Sequence, residues 1–468
     1  MKWLKRRKLP LLKLTVSLIV GIVVAHQWSD DVTWLIVLAA AAAVVLLLLR
    51  RALLLSMASC LGFLALGFFV GRPAQLPPVP ASSMQEAVVM SELTEKPKTM
   101  MMDLYLPRQQ QTRRCYVWKD AASQQLRLGE SLLVFLRDDR FVPPGRWQRG
   151  GDGLSMLTHL QRVRLKALLL RHRLLQRYQA LQAGSEQYAI LAAMTLGDKS
   201  ALTKELRQTY AVTGASHVLA LSGLHLGIIY LLLTRLLGSR RRSWLRQVFF
   251  VVCIWGFAFL TGLSASLVRA ATMLTVYSLF SLGGRGHSSL NVLCFTAMVM
   301  LLCQSDNLFD VGFQLSFLSM FSILLFTPYF DRLFAAVVRQ RNTMLTWAWG
   351  LCSVSLAAQL GVGPLISYYF GRFATYFLLT NFIVIPAATI IIYGALLSLL
   401  VPQVATVLVC IVKALNAVLG LLSQLPLSSI EGLHPTLLQV VLSYVVIGCL
   451  YLILRIVFTY IPASGGYR

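Results

Sequence analysis

The sequence predicts a mainly α-helical, polytopic membrane protein with one small β-rich domain outside the bilayer. Hydrophobic residues make up 57% of the 468 residues, charged residues only 13%, and the mean hydropathy is +0.69. A soluble protein carries about 25% charged residues. Apolar runs follow one another along most of the chain, and one long polar stretch, residues 72–184, interrupts them. These features exclude an ordinary soluble enzyme.

The net positive charge and the cysteine pattern further limit the kinds of protein and site that the sequence allows. Lys and Arg collect in cytoplasmic loops for topological reasons, and a polyanionic ligand is a second source of the net charge of +25. The eight cysteines include no Cys-x-x-Cys pair and no Cys/His cluster. We therefore expect no disulfide framework, no metal site and no cofactor.

Three apolar spans open the chain, at residues 11–26, 32–49 and 52–70, so residues 1–71 are predicted to form three transmembrane helices. Basic residues precede the first span, and Arg50 and Arg51 separate the second from the third. Asp30 and Asp31 separate the first from the second. The positive-inside rule then places the N-terminus in the cytoplasm and residues 72–198 on the extracytoplasmic side.

Residues 72–156 predict a β-rich domain. A proline-rich linker, RPAQLPPVP, leads into short segments that alternate apolar and polar residues. In the segment RRCYVW, Arg114, Tyr116 and Trp118 share one face. A cation beside two aromatic rings suits the stacking of unpaired bases next to phosphates. An ordinary amphipathic strand with an aromatic core explains the same pattern, and both interpretations stay open.

Residues 157–198 predict two amphipathic helices at a membrane surface. The first combines a leucine-rich side with six cations: Arg162, Arg164, Lys166, Arg171, Arg173 and Arg177. Such a helix lies in the membrane interface, where arginines reach lipid headgroups. A basic rim at a pore mouth is the alternative. Residues 187–196 predict a second, short interfacial helix.

Residues 199–468 predict the remaining spans, which bring the total to about 11–13. Basic residues at 235–246 and 332–341 fall on the cytoplasmic side of this arrangement. Residues 361–372 are a candidate re-entrant segment between two spans.

The stretch HVLALSGLHLGIIY, residues 217–230, places polar groups at the start of an apolar run. On one helix turning about 100° per residue, His217, Ser222 and His225 form a polar stripe. Gly223 and Gly227 lie on the opposite side as a Gly-x-x-x-Gly pattern, which is typical of close helix packing. Ionisable groups at membrane depth are costly unless they face a bundle interior or water. We therefore expect this stripe to face inward.

Further polar residues interrupt the later apolar runs. A guanidinium at membrane depth, as at Arg269, needs an acceptor: a carboxylate such as Asp310, a row of backbone carbonyls, or a passing phosphate. Gln314 and Asn381 add neutral polar groups, whereas carboxylates at membrane depth are scarce. A neutral-to-cationic lining suits the transit of a polyanion. The predicted pathway residues are His217, Ser222, His225, Arg269, Gln314 and Asn381.

Several stretches resemble one family in the same order. They are LGDKSALTKELRQTYAVTGASHVLALSGLHLGIIY, TGLSASLVRAATM, DVGFQLSFLSM, PLISYYFGR and NFIVIPAATIIIYG, which begin at residues 196, 261, 310, 364 and 381. Together they resemble the ComEC-type competence family of inner-membrane DNA-uptake channels over roughly residues 185–400.

The resemblance implies a function and partners. It implies a channel in the bacterial inner membrane that passes single-stranded DNA inward, with an OB-like domain at 72–156 and the channel domain at 199–468. Family members often end in a metallo-β-lactamase-like domain with a His-x-His-x-Asp-His run, which this sequence lacks. We therefore expect no catalytic residues, and as partners membrane lipids, a DNA receptor, a separate nuclease and a cytoplasmic motor or single-strand-binding protein. The resemblance allows a homo-oligomer.

Two other functions fit parts of the pattern. A secondary transporter of a small anion would use the same cationic cavity. An intramembrane hydrolase would use Ser222 as nucleophile and His225 as base, since residues three apart on a helix meet.

Overall fold

The computed structural model describes residues 10–27, 52–72, 84–95, 97–136, 141–143, 145–179, 184–238, 244–282, 288–337, 343–398, 401 and 403–460. The helices before the channel region are α1 (Pro10–Gln27), α2 (Ala52–Val70), α3 (His159–Gln179), α4 (Ser185–Leu196), α5 (Lys204–Val212) and α6 (Ser216–Leu219). The later helices are α7 (Gly223–Leu237), α8 (Trp244–Leu260), α9 (Ala265–Leu282), α10 (Ser289–Cys303), α11 (Val311–Val337), α12 (Thr343–Phe370), α13 (Phe377–Ser398), α14 (Val404–Gln424) and α15 (Leu437–Tyr460).

Many of these helices have the composition of membrane spans. Within the described residues, six helices (α9 and α11 to α15) contain stretches long and apolar enough to cross a bilayer. Apolar helices of 10–17 residues lie within α1, α2, α7, α8 and α10. The prediction of a polytopic helical membrane protein with a small β domain is confirmed. The predicted span at 32–49 lies outside the described residues.

Helices α1 and α2 pack closely and run parallel. A Cβ atom on Gly21 would collide with the Leu64 backbone, and one on Gly67 would collide with the backbone of Leu18. Only glycine allows the two backbones to approach this closely. Gly67 approaches Leu18 and Gly71 approaches Ile22, so the contacts advance in the same direction along both helices. Gln27 and Ala52 therefore lie at opposite ends of the pair. This arrangement is the one that a predicted return span between them requires.

The β domain is a seven-stranded sheet. Its strands are β1 (Gln85–Val89), β2 (Thr94–Glu95), β3 (Thr99–Leu106), β4 (Gln111–Trp118), β5 (Glu130–Val134), β6 (Phe141–Val142) and β7 (Trp147–Asp152). The order is β6-β4-β3-β1-β5-β7, with β2 on β3, and every pair is antiparallel except β4–β6. Cys115 and Val117 point into the core, so the predicted alternation along β4 is observed.

Helix α3 joins this domain to the membrane helices. Leu157 and Leu165 pack against Val88 and Tyr105 on one face of the sheet. Farther along, Leu175 and Tyr178 enter the core cluster that contains α4. Both parts of the molecule are therefore held by the same helix.

Helix α4 differs from the sequence prediction. Residues 189–196 are all buried, and they pack with residues of α5, α13 and α14 in the largest core cluster. A helix covered by protein on every side does not lie on a membrane surface. The prediction of a second interfacial helix at 187–196 is wrong, because elements distant in sequence cover its otherwise ambiguous apolar surface.

The predicted re-entrant segment is also absent from the structure. Helix α12 continues without a break through Pro364 to Phe370. The chain then forms a short antiparallel pair, β8 (Arg372–Ala374) with β9 (Ser429–Glu431), before and after α13 and α14.

Candidate functional site

The stretch 217–230 does not form one helix. Helix α6 ends at Leu219, Ala220 and Ser222 have extended backbones, and α7 begins at Gly223. His217 therefore lies on a separate short turn, and the prediction of a continuous polar stripe is wrong. The reason is local, because serine is a preferred N-cap residue and starts a new helix here.

Ser222 and His225 form the cap of α7. The backbone N–H of Ser222 donates to Nδ1 of His225 at 3.3 Å, and the Ser222 hydroxyl lies 3.2 Å from the same nitrogen. This is a capping box in which histidine takes the place of the usual glutamate or glutamine. Because Nδ1 accepts the backbone N–H, the imidazole proton lies on Nε2, which is buried and has no hydrogen-bond partner among the described residues. The geometry explains the Ser-Gly-Leu-His sequence by helix capping.

Five helices contact one another in a closed cycle, which we call the helix ring: α7 with α9, α9 with α11, α11 with α12, α12 with α13, and α13 with α7. The ring closes through Tyr393 of α13, whose hydroxyl donates to the carbonyl oxygen of Ile228 on α7 at 3.1 Å. The ring therefore brings together helices that are far apart in sequence.

One stripe of α7 is left open by the neighbouring helices. Gly223 approaches Ala270 of α9, Ile228 lies toward α13, and Tyr230 packs on Phe250 of α8, outside the ring. Gly227 lies between the sides toward α9 and α13 and away from α8. It is exposed, and among the described residues no atom lies within 4 Å of a Cβ built on it. The predicted packing role therefore has no contact to support it at Gly227 among the described residues.

Arg269 on α9 is paired with the start of α11. Its side chain is 7% exposed, and Nη1 lies 3.7 Å from Oδ1 of Asp310, whose side chain is 51% exposed. The same Asp310 oxygen accepts the backbone N–H of Phe313 at 2.7 Å and so caps α11. Gly312 makes room for the guanidinium, because a Cβ there would lie 3.2 Å from Nη2 of Arg269. The cation is buried, whereas its counter-ion faces solvent.

Gln314 and Asn381 lie on other helices of the ring. The Gln314 amide donates to the carbonyl oxygen of Leu308 at 2.9 Å and accepts from the Tyr369 hydroxyl at 2.9 Å. The Asn381 amide donates to the Ser355 hydroxyl at 3.1 Å. Sequence reasoning missed Tyr369 and Ser355, because nothing local distinguishes them from the other polar residues of α12.

His217 lies beside the start of α13. Its Nδ1 is 3.0 Å from the carbonyl oxygen of Gly214, and a Cβ on Gly214 would meet Ala374 and Phe377. Gly214 has φ +82°, a conformation that other residues rarely adopt. The His217 side chain is exposed.

The polar residues of the ring are distributed over its helices. Each ring helix carries at least one of the polar residues: His225 on α7, Arg269 on α9, Gln314 on α11, Ser355 on α12 and Asn381 on α13. Beside the ring, burial and the nearby Arg207 lower the pKa of Lys199 in the loop after α4.

The predicted DNA-contact residues of the β domain lie apart from the ring. Arg114 donates from Nε to Asp103 at 3.2 Å, and Trp118 is 41% exposed. Tyr116 is half-buried on the same face. No group of three or more possible metal-ligating side chains occurs within the described residues.

Comparison with known proteins identifies relatives of the helical region. ComE operon protein 3 of Bacillus subtilis is 29% identical over 259 residues, which cover 54% of this chain and 31% of that protein. Recombination protein 2 of Haemophilus influenzae is 25% identical over 226 residues, 46% of this chain and 29% of that protein. An uncharacterised protein of Aquifex aeolicus is 28% identical over 254 residues, 52% of this chain and 57% of that protein.

The chain thus spans less than two thirds of the length of each of these relatives. No solved structure gives a significant match. The family model described as Competence protein matches residues 194–456, which is more than half of the chain. This range contains the helix ring and its polar residues, and the chain therefore belongs to the competence protein family.

Proposed function

We propose that this protein is an inner-membrane channel that passes single-stranded DNA into the cytoplasm during natural transformation. The observation that carries the proposal is the helix ring, with a polar residue on each helix and an open stripe on α7 at Gly227, which we place on the ring interior. The relatives named ComE operon protein 3 and Recombination protein 2 agree with a role in DNA uptake.

The chemistry of the ring suits a polyanion. A phosphate chain needs hydrogen-bond donors that replace its hydration without trapping it at one position. The amides of Gln314 and Asn381 and the imidazole of His217 are neutral groups of this kind. Arg269 supplies a positive charge that Asp310 already balances. A phosphate near the half-exposed Asp310 would compete with that carboxylate for the guanidinium, and this competition would weaken the hold on DNA at this point.

The proposal includes an orientation. The N-terminus lies in the cytoplasm, and the β domain and α3 lie outside, as the distribution of basic residues indicates. The parallel α1–α2 pair supports this orientation, because a return span between the two helices carries the chain outside after α2. DNA then meets the β domain first, and Arg114, Tyr116 and Trp118 form a contact face for unpaired bases. A DNA receptor, a nuclease and a cytoplasmic motor or single-strand-binding protein complete the system.

Deletion of the gene in a competent host tests the proposal. Labelled DNA that reaches the outer compartment and transformants are measured separately, with the wild-type gene restored as the control. We expect outer uptake to persist and transformants to be lost. Unchanged transformation would contradict the proposal, and substrate-driven anion flux in vesicles without DNA would then favour the small-anion transporter.

A further inference from the structure

The exposed side of α3 has a specific composition. Four large apolar side chains of this helix are exposed, Leu160 at 66%, Val163 at 46%, Leu169 at 37% and Leu170 at 49%. Six exposed basic residues lie along the same helix: His159, Arg162, Lys166, His172, Arg173 and Arg177. At about 100° per residue, the apolar side chains other than Leu169 form one strip, and the basic side chains other than His172 form a second strip beside it.

Contacts on the buried side of α3 determine where the two strips lie relative to the apolar helices. Leu168 and Arg171 both lie 3.6 Å from the position of a Cβ on Gly262, two residues after the end of α8. Arg171 also pairs with Asp198 at 4.0 Å, and both side chains are nearly buried. Helix α3 is therefore held against the end of the apolar helix α8 and the loop after α4, and we take this end of α8 as the level of the membrane surface.

The order of the faces around α3 shows which part of the molecule lies next to each strip. The face with Leu165 contacts the β domain, and the face with Leu168, Leu175 and Tyr178 contacts the helical domain. Past the helical domain comes the apolar strip, then the basic strip, and then the β domain again. The apolar strip is thus next to the membrane helices, and the basic strip lies between it and the aqueous domain.

We propose that α3 binds anionic phospholipid headgroups of the leaflet that faces the β domain. The apolar strip enters the acyl boundary, and the basic side chains reach outward to phosphates, as in interfacial helices. A DNA-binding rim is the other use of such cations, but it gives no reason for an adjacent exposed apolar strip. Bound lipid would fix the β domain above the helix ring. The proposal does not depend on DNA passage.

The test compares two lipids on the purified full-length protein. Phosphatidylglycerol or phosphatidylcholine is titrated into the detergent-solubilised chain, and the rise in the thermal unfolding midpoint is followed. The test variant is Lys166→Gln/Arg173→Gln/Arg177→Gln, which spares Arg162 because that side chain also donates to the carbonyl oxygen of Leu157. The control, Lys98→Gln/Arg108→Gln/Arg127→Gln, removes the same charge from exposed positions of the β domain.

We expect phosphatidylglycerol to stabilise the wild type and the control at much lower concentrations than phosphatidylcholine does. The test variant should need at least about tenfold more phosphatidylglycerol, since each cation near an anionic surface contributes about a fivefold gain in affinity. Equal responses of the test variant and the wild type would overturn the proposal. So would a test variant that keeps the lipid response and loses binding of a labelled single-stranded oligonucleotide, because the basic strip would then be a DNA rim.

Discussion

Substitution of Gly227 distinguishes between two roles of a glycine, packing against a neighbouring helix and lining a passage. Where a glycine packs helices, an added methyl group collides with the neighbour. Where it lines open space, alanine stabilises the helix by about 0.5–1 kcal/mol, because glycine loses more backbone entropy on folding. Within the described residues, no atom lies within 4 Å of a Cβ on Gly227. Gly227→Ala should therefore raise the free energy of unfolding by about this amount.

Gly67 supplies the matched control. A Cβ there would collide with the backbone of Leu18 on α1, so Gly67→Ala should destabilise the protein by about 1–3 kcal/mol, the usual cost of overpacking. Thermal unfolding of both variants in detergent measures the difference.

A larger side chain at position 227 tests whether DNA passes through the helix ring. Gly227→Trp fills space inside the helix ring and should abolish transformation while the protein still inserts in the membrane and unfolds cooperatively. Destabilisation by Gly227→Ala, or normal transformation by a well-folded Gly227→Trp variant, would refute the placement of Gly227 on the ring interior.

Three further predictions concern other residues. Asp310→Asn leaves the buried Arg269 without a counter-ion and should lower the free energy of unfolding by about 3–5 kcal/mol. Arg269→Met leaves only a half-exposed carboxylate and should lower it clearly less. Equal losses of stability in thermal unfolding would contradict this asymmetry. His225→Gln keeps a capping-box acceptor and should preserve transformation. His225→Leu removes the acceptor and should lower the free energy of unfolding by about 1 kcal/mol. Loss of transformation in a folded His225→Gln variant would indicate a chemical role for the imidazole. Trp118→Ala should weaken binding of a labelled single-stranded oligonucleotide by about 1–3 kcal/mol, measured by fluorescence anisotropy, and unchanged binding would remove Trp118 from the contact face.

Patterns within one element were sufficient to predict much of the fold. Alternation along β4 correctly predicted that Cys115 and Val117 face away from Arg114 and Trp118. Hydropathy predicted most of the apolar helices. In both cases the signal lies in consecutive residues, and the environment on each side is uniform, either lipid or core.

Local sequence patterns gave wrong predictions where contacts with elements distant in the sequence determine the structure. Residues 189–196 have the same apolar composition whether they lie on a membrane surface or inside protein, and packing with α13 and α14 decides for the interior. Closure of the ring between Ile228 and Tyr393 joins positions 165 residues apart. The break before Gly223 is different, because the Ser222 N-cap and the His225 at the third helical position are visible in the sequence. At this point helical periodicity alone predicts one continuous helix, whereas the capping signal predicts the break.

Site-specific cross-linking tests the central claim, passage of DNA inside the helix ring, most directly. A photoreactive amino acid is placed at Gly227, or at Val446 on the exposed face of α15, and competent cells are illuminated during uptake of labelled DNA. The account predicts cross-links to DNA from position 227 and none from position 446, which is 68% exposed on the outside of the bundle. Transforming cells that give no cross-link at 227, or equal cross-links at both positions, would contradict it.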